Sequence, residues 1–213
     1  MAYFYRMKIE IWSDIVCPFC YIGKRHLEQA LKNTGKQVEI EWKSFQLDPT
    51  VTPEDAGASI VEHLAAKKGM SVEQVNGMMN HVDTMATNAG LYMKLRSSFV
   101  MNTFHAHRVL HFAKSLGKGS ELKEAFLKAH FTDNLNLNKD ENLIQVAVSV
   151  GLNEEDVLRV LHSNEFEEAV NEDAYTAQQF GARGVPFFVF NRESAVSGAQ
   201  PVEVFEQILN ESK

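Results

Sequence analysis

Residues 7–24 read MKIEIWSDIVCPFCYIGK and hold both cysteines of the chain, Cys17 and Cys20. Met7, Ile9 and Ile11 alternate with Lys8, Glu10 and Trp12, the period-two pattern of a strand. Beyond the cysteines the period changes to that of a helix, with Cys20, Gly23, Leu27 and Leu31 on one face and Gly35 as its stop. The CxxC therefore lies where a strand ends and a helix begins. Pro18 falls just inside the helix, where its missing N–H costs nothing. The first turn of a helix has unpaired N–H groups and a partial positive charge. A thiolate at Cys17 is stabilised there, and Cys20, one turn on, points back to resolve a mixed disulfide. This is the pattern of a thiol–disulfide redox site. A zinc site needs two further ligands, and neither a second CxxC nor an HxxxH is read as supplying them, so no metal is expected.

Composition sets the outer limits. The 213 residues are 45% apolar and 23% charged, as in ordinary globular proteins. A net charge of −7 with no basic block argues against nucleic acid as a partner. No apolar run approaches the roughly 18 residues of a bilayer span, and MAYFYRMKIEIW has no leader-like apolar core or cleavage site. A cytoplasmic location is expected. In a reducing compartment two cysteines indicate chemistry rather than a structural staple.

Val38–Leu47 reads as a second strand with a bend near Ser44, completing a parallel βαβ unit. Helical patterns then run for over a hundred residues. Thr52-Pro53 predicts a helix start reaching about Lys68. Ser71 and Gln74 form a capping box before the stripe Val75, Met78, Met79, Val82, Met85, Ala86 and Ala89. Asn102 predicts a cap for a helix to Leu116, and Ser120 opens another with Leu122, Ala125, Phe126 and Ala129 inward. Asp140–Val150 and Glu154–His162 are shorter helices, and Asn164 predicts the cap of one closed by Gly181. Val185–Phe190 (VPFFVF) is an unbroken apolar run, read as a strand buried on both faces. Ala195–Ser197 is a short strand, and Pro201 begins a final helix. The fold class is α/β. Removing 53–164 leaves the element order of a thioredoxin fold, so the chain divides into a discontinuous thioredoxin-like domain, 1–52 and 165–213, and an all-helical insertion, 53–164, placed over the active-site end.

Gly184-Val185-Pro186 supplies the second half of the site. A proline opening a strand here fits the cis-proline loop that faces the CxxC in such folds, with the Val185 backbone free to pair with a passing peptide. With IWSDIVCPFCYIGK, NTFHAHRVLHFA and GARGVPFFVFN…AVSGAQPVEVF, the chain resembles the DsbA-like oxidoreductases of the thioredoxin superfamily, most nearly their FrnE-type branch. The resemblance implies a protein-disulfide oxidoreductase with Cys17 as attacking thiol, Cys20 as resolving thiol and Pro186 as the cis-proline. It also departs from the family. DsbA has histidine where this chain has Phe19, which implies a less stabilised Cys17 thiolate and a less oxidising couple.

Around these residues, Trp12, Asp14, Asn102 and His107 are candidates for lining the site, with Asp14 a proton acceptor for Cys20. A histidine on an apolar helix face, such as His107, is more often a core residue. No cofactor is required; glutathione is a candidate co-substrate. Partners are protein or peptide thiols and disulfides, with glutathione or a thioredoxin-type protein as recycling partner. Two other functions fit the pattern less well. Kappa-class glutathione transferases and hydroxychromene-carboxylate isomerases share the fold but tend to carry a lone serine or cysteine. A peptide-binding holdase would use the methionines of the insertion, which holds six of the eight.

Overall fold

The computed structural model describes residues 6–211, so the expectation for the first five residues lies outside it. Strand β1 (Met7–Ser13), helix α1 (Pro18–Thr34) and strand β2 (Val38–Ser44) form the expected parallel βαβ unit, with Ile9 beside Ile40 and Ile11 beside Trp42. Six α-helices follow: α2 (Ile60–Lys68), α3 (Val72–Asn88), α4 (Phe104–Ser115), α5 (Gly119–Phe131), α6 (Asp140–Ser149) and α7 (Glu154–Leu161). The chain closes with α8 (Glu167–Gln179), β3 (Phe187–Phe190), β4 (Ser194–Ser197) and α9 (Val202–Glu211). The sheet order is β2-β1-β3-β4, with β3 antiparallel to both β1 and β4. This is a thioredoxin fold with a helical insertion.

Both faces of the central strands are covered, which explains their composition. On one face Ile9 and Ile11 stand opposite Phe190 and Phe188, and α1 and α9 close over them through Leu27, Phe205 and Leu209. Phe188 meets Phe205 edge-on, with ring centroids 4.8 Å apart. On the other face Trp12 stands opposite Phe187 and packs with Val189 and Ala177 of α8. Glu10 shares that face and is buried, so its carboxylate requires a partner. Arg192 supplies it in a two-pronged contact at 2.7 and 2.9 Å.

The insertion joins this core on two fronts. Trp42 carries the first sheet face onto α4–α7, in one continuous cluster with Val109, Phe126 and Val157. A second cluster joins Tyr21 and Ile22 of α1 to Val75, Met79 and Val82 of α3 and Phe131 of α5. Helices of the insertion therefore pack directly on the start of α1.

Several expected boundaries move, each for a local reason. Strand β2 ends at Ser44, before Leu47. Helix α2 starts at Ile60 under a Ser59 cap, not at Pro53. Thr52 donates both its N–H and its hydroxyl to the Asp55 carboxylate, so 52–55 folds as a turn. The residue before α4 is Thr103, although Asn102 Oδ1 does accept the Phe104 N–H at 3.0 Å. Asn164 does not cap α8; Phe166 precedes it at a left-handed φ of 65°. Strand β3 begins at Phe187, and α9 begins one residue after Pro201.

Gly23 lets α1 approach the sheet, as its place on the apolar face suggests. A Cβ there would lie 3.2 Å from both Phe188 Cζ and Pro186 Cγ. Gly23→Val is expected to destabilise by about 1–3 kcal/mol through overpacking, read from the urea midpoint. An unchanged midpoint would show that this approach is not tight.

Candidate redox site

The site is assembled from three chain segments. Helix α1 begins at Pro18, and the residue that caps it, Cys17, ends the loop from β1 with an extended backbone (φ −96°, ψ 109°). Pro18 occupies the first turn and Cys20 donates its N–H to the Cys17 carbonyl at 3.0 Å. The Val185–Pro186 peptide bond is cis, as expected. The Val185 carbonyl oxygen lies 3.5 Å from Cys17 Sγ. Both cysteines are free thiols and buried.

A cavity of about 510 Å³ opens beside the pair. Cys17, Pro18, Phe19 and Val185 line one side, and Leu64, Met79, Leu95 and Phe131 line the other. Of the two cysteines, Cys17 lines it and Cys20 does not. Size and apolar walls suit a small ligand or one large side chain.

The electrostatics differ from the sequence expectation. Cys17 Sγ donates to the Val185 carbonyl at 3.5 Å. Its contact with the Cys20 thiol, with burial added, pushes the Cys17 pKa well up, and the Cys20 N–H of the first helical turn offsets only part of this. Burial opposes ionisation of Cys20 as well. The hydrogen bond from Cys17, the Lys123 charge and Ser13 outweigh it and hold Cys20 below its ordinary value. The two thiols therefore titrate as one buried pair, and the first thiolate belongs to the pair.

A match to the DSBA-like thioredoxin domain family spans residues 8–210. The chain belongs to this DsbA-like family. It is 40% identical to a probable DsbA oxidoreductase, SCO1869 from Streptomyces coelicolor, with a TM-score of 0.92 over 98% of this chain and 92% of that one. It is 27% identical to the uncharacterized protein YwbO of Bacillus subtilis (strain 168) over 207 residues, 96% of each chain. The cytosolic disulfide reductase DsbM from Pseudomonas aeruginosa shares the fold at a TM-score of 0.67 and 14% identity, covering 95% of this chain and 97% of DsbM.

Set in this DsbA-like frame, the remaining candidates fall into distinct places. None of Trp12, Asp14, Asn102 and His107 lines the cavity. Trp12 is core: its indole N–H donates to the Asp173 carbonyl at 2.7 Å, and its ring packs on Phe180 and Phe187. Asn102 clamps the loop after β2, bonding Gln46 and the Val51 carbonyl. That loop carries Leu47, Asp48 and Val51 to the cavity wall. Asp14 and His107 meet beneath the cysteines, at 3.2 Å, both fully buried.

Asp14 is poorly suited to accept a proton. Burial raises its pKa, but His107 and the Leu47 amide more than reverse this, and the net shift is downward. Its two oxygens already accept the N–H groups of Ile15 and Leu47, each at 2.7 Å. Against the expectation that no HxxxH accompanies the CxxC, His107 and His111 are four residues apart, a spacing zinc sites use. The two rings turn to different carboxylates: His107 to Asp14, and His111 to Asp173 at 3.0 Å. Among the described residues no group of three or more His, Cys, Asp or Glu is placed to hold a metal ion.

Two buried residues of α5 escaped the sequence reading, Lys123 and His130. The signal was present. Leu122, Phe126, Leu127, Ala129 and Phe131 occupy so much of that helix's circumference that the polar residues between them are enclosed as well. His130 lines the cavity, and its Nδ1 has no hydrogen-bond partner. Burial holds its pKa down at about 4, so the ring is neutral at pH 7.

A lowered histidine pKa gives a signed prediction. The folded state holds His130 neutral while the unfolded chain takes up a proton near ~6.5. Stability from this residue is present above that pH and is lost as pH falls toward about 4. His130→Phe should remove roughly 3 kcal/mol of the acid-side loss over this window, seen as a flatter plot of urea stability against pH. A slope equal to that of the unsubstituted protein would contradict it.

Proposed function

We propose that this protein is a thiol–disulfide oxidoreductase that exchanges disulfides with protein or small thiol substrates. The observation that carries the reading is that Cys17 borders the apolar cavity while Cys20 lies behind it. A substrate thiolate reaching the oxidised pair attacks Cys17 Sγ. The Cys17–Cys20 bond breaks and Cys20 leaves as a thiolate. A second substrate thiolate then attacks the substrate sulfur of the mixed disulfide, and Cys17 leaves. Two electrons pass to the protein, and the substrate becomes a disulfide. Run backwards, the same steps reduce a substrate disulfide. The Lys123 charge acting on Cys20 favours its departure as a thiolate in the first direction.

The backbone beside Cys17 supports a peptide or glutathione as the bound partner. Val185 offers backbone groups for a short strand-like pairing, and the apolar walls accept a side chain next to the reacting cysteine. Glutathione fits as the recycling thiol, a reading supported by the fold shared with DsbM, whose structure is also known with GSH. The two sulfurs carry the electrons, so this chemistry needs no bound cofactor or metal. The compartment we propose is the reducing cytoplasm, in keeping with a chain whose two cysteines both serve the redox site. No helix of the described residues is long and apolar enough to cross a membrane.

A glutathione-dependent isomerase is the second reading, favoured by the size and enclosure of the cavity. Cys20 separates the two, because isomerisation through Cys17 needs no resolving thiol. Cys17→Ser should bring insulin reduction by dithiol down to the uncatalysed rate. Cys20→Ser should accumulate a Cys17 mixed disulfide with glutathione, visible by intact-mass spectrometry. Full activity in Cys17→Ser would refute the redox reading, and full activity in Cys20→Ser would favour the isomerase.

A further inference from the structure

Lys123 on α5 is fully buried, and its ammonium nitrogen has no hydrogen-bond partner. It lies 5.7 Å from the centre of the Trp42 ring, at the wall between the insertion and the sheet. Taking a lysine charge out of water costs several kcal/mol unless an opposite charge repays it. The charged and titratable groups around it come from every element packed there. Leu127, one turn on from Lys123, packs with Tyr21 and Ile22 directly after Cys20, and Glu124 binds Tyr21 and Lys24, so α5 lays Lys123 along the start of α1. There Cys20, Asp14 and Cys17 act on it, as does Lys24, and His107 of α4 responds to it. Lys24 is already engaged by Glu28 and Glu124, each at 2.5 Å. Asp14 is engaged by two amides and His107. The cysteine pair is the anion that remains, and Lys123 has no other partner to leave for it.

We propose that Lys123, supplied by the helical insertion, is the positioning cation of the redox pair: it holds the thiolate of the reduced form and loses that partner in the disulfide. The inference rests on the redox reading above and concerns the same two sulfurs. No atom is transferred through Lys123; the ammonium acts by charge alone. Two consequences have definite signs. The cation favours the dithiol form, and so makes the couple more oxidising than the same pair without it. It also lowers the pH at which the first thiol proton leaves. Burial pushes the ammonium toward the neutral amine, the two sulfurs and Asp14 offset part of this, and the net shift is downward. The insertion thereby covers the site and also sets its redox balance. Its docking on Trp42 fixes where the charge stands.

The test compares the unsubstituted protein with Lys123→Met in glutathione redox buffers and in an iodoacetamide alkylation profile against pH. Methionine fills the space without charge, and replacing a buried charge by an apolar group is commonly neutral or stabilising. The variant is expected to shift the equilibrium about tenfold toward the disulfide, or ~30 mV for a two-electron couple. The onset of alkylation should move about one pH unit higher. Unchanged values for both would overturn the role given to Lys123. Should Lys123→Met fail to fold, the unsubstituted protein still decides the question. Side-chain NMR of labelled lysine should show the Lys123 ammonium titrating at higher pH in the dithiol form than in the disulfide form, and equal values would overturn the proposal. An unsubstituted protein that never equilibrates with glutathione overturns this inference together with the redox reading. One that equilibrates, with a variant matching it, overturns this inference alone.

Discussion

Cys17 Sγ lies 3.5 Å from the Val185 carbonyl, and these residues are 168 positions apart in sequence. Most of the fold is needed to hold that contact. Strand β1 must end where α1 begins, so that Cys17 occupies the junction. Strand β3 must lie against β1 in the register Ile11 to Phe188, so that Val185 and Pro186 arrive at the same end of the sheet. Helix α1 must come close enough for the space above Gly23 to be filled by Phe188 and Pro186. Each requirement is met by side-chain packing, and none depends on the cysteines themselves.

Beneath that contact the molecule has buried an unusual amount of charge. Asp14, His107, Lys123 and the two thiols are each buried, and Asp14 meets His107 at 3.2 Å. In such surroundings a charge survives only beside a partner. Asp14 is held ionised by hydrogen bonds, which leaves the thiol pair and Lys123 to balance each other. Of the two cysteines, Cys17 faces the cavity and Cys20 lies behind it. In the proposed reaction Cys17 meets the substrate and Cys20 resolves the mixed disulfide.

The sequence made the order of elements legible, because changes of period and Gly/Pro punctuation mark them directly. The unbroken run ending in Phe187–Phe190 announced a strand covered on both faces. The reciprocal Ser71–Gln74 cap also formed as read. Misplaced starts came where local polar bonds competed with a helix, as when Asp55 captured Thr52. The cysteines and Pro186 were legible because their chemistry depends on local sequence. Lys123 and His130 were not, since their burial depends on helices that meet only in the folded chain. The ionisation of Cys17 likewise depends on groups that the helix start does not show: contact with Cys20 and burial push its pKa up, and the Cys20 N–H pulls it down.

The account centres on a reversible two-electron exchange between Cys17 and Cys20. Equilibrating the protein across glutathione redox buffers, quenching with an alkylating reagent and weighing the intact chain tests it directly. The account predicts one reversible transition between a species with two alkylated thiols and an unalkylated species carrying the Cys17–Cys20 disulfide. A chain that stays dithiol throughout, or that accumulates a glutathione adduct on Cys17 that Cys20 does not displace, would contradict it.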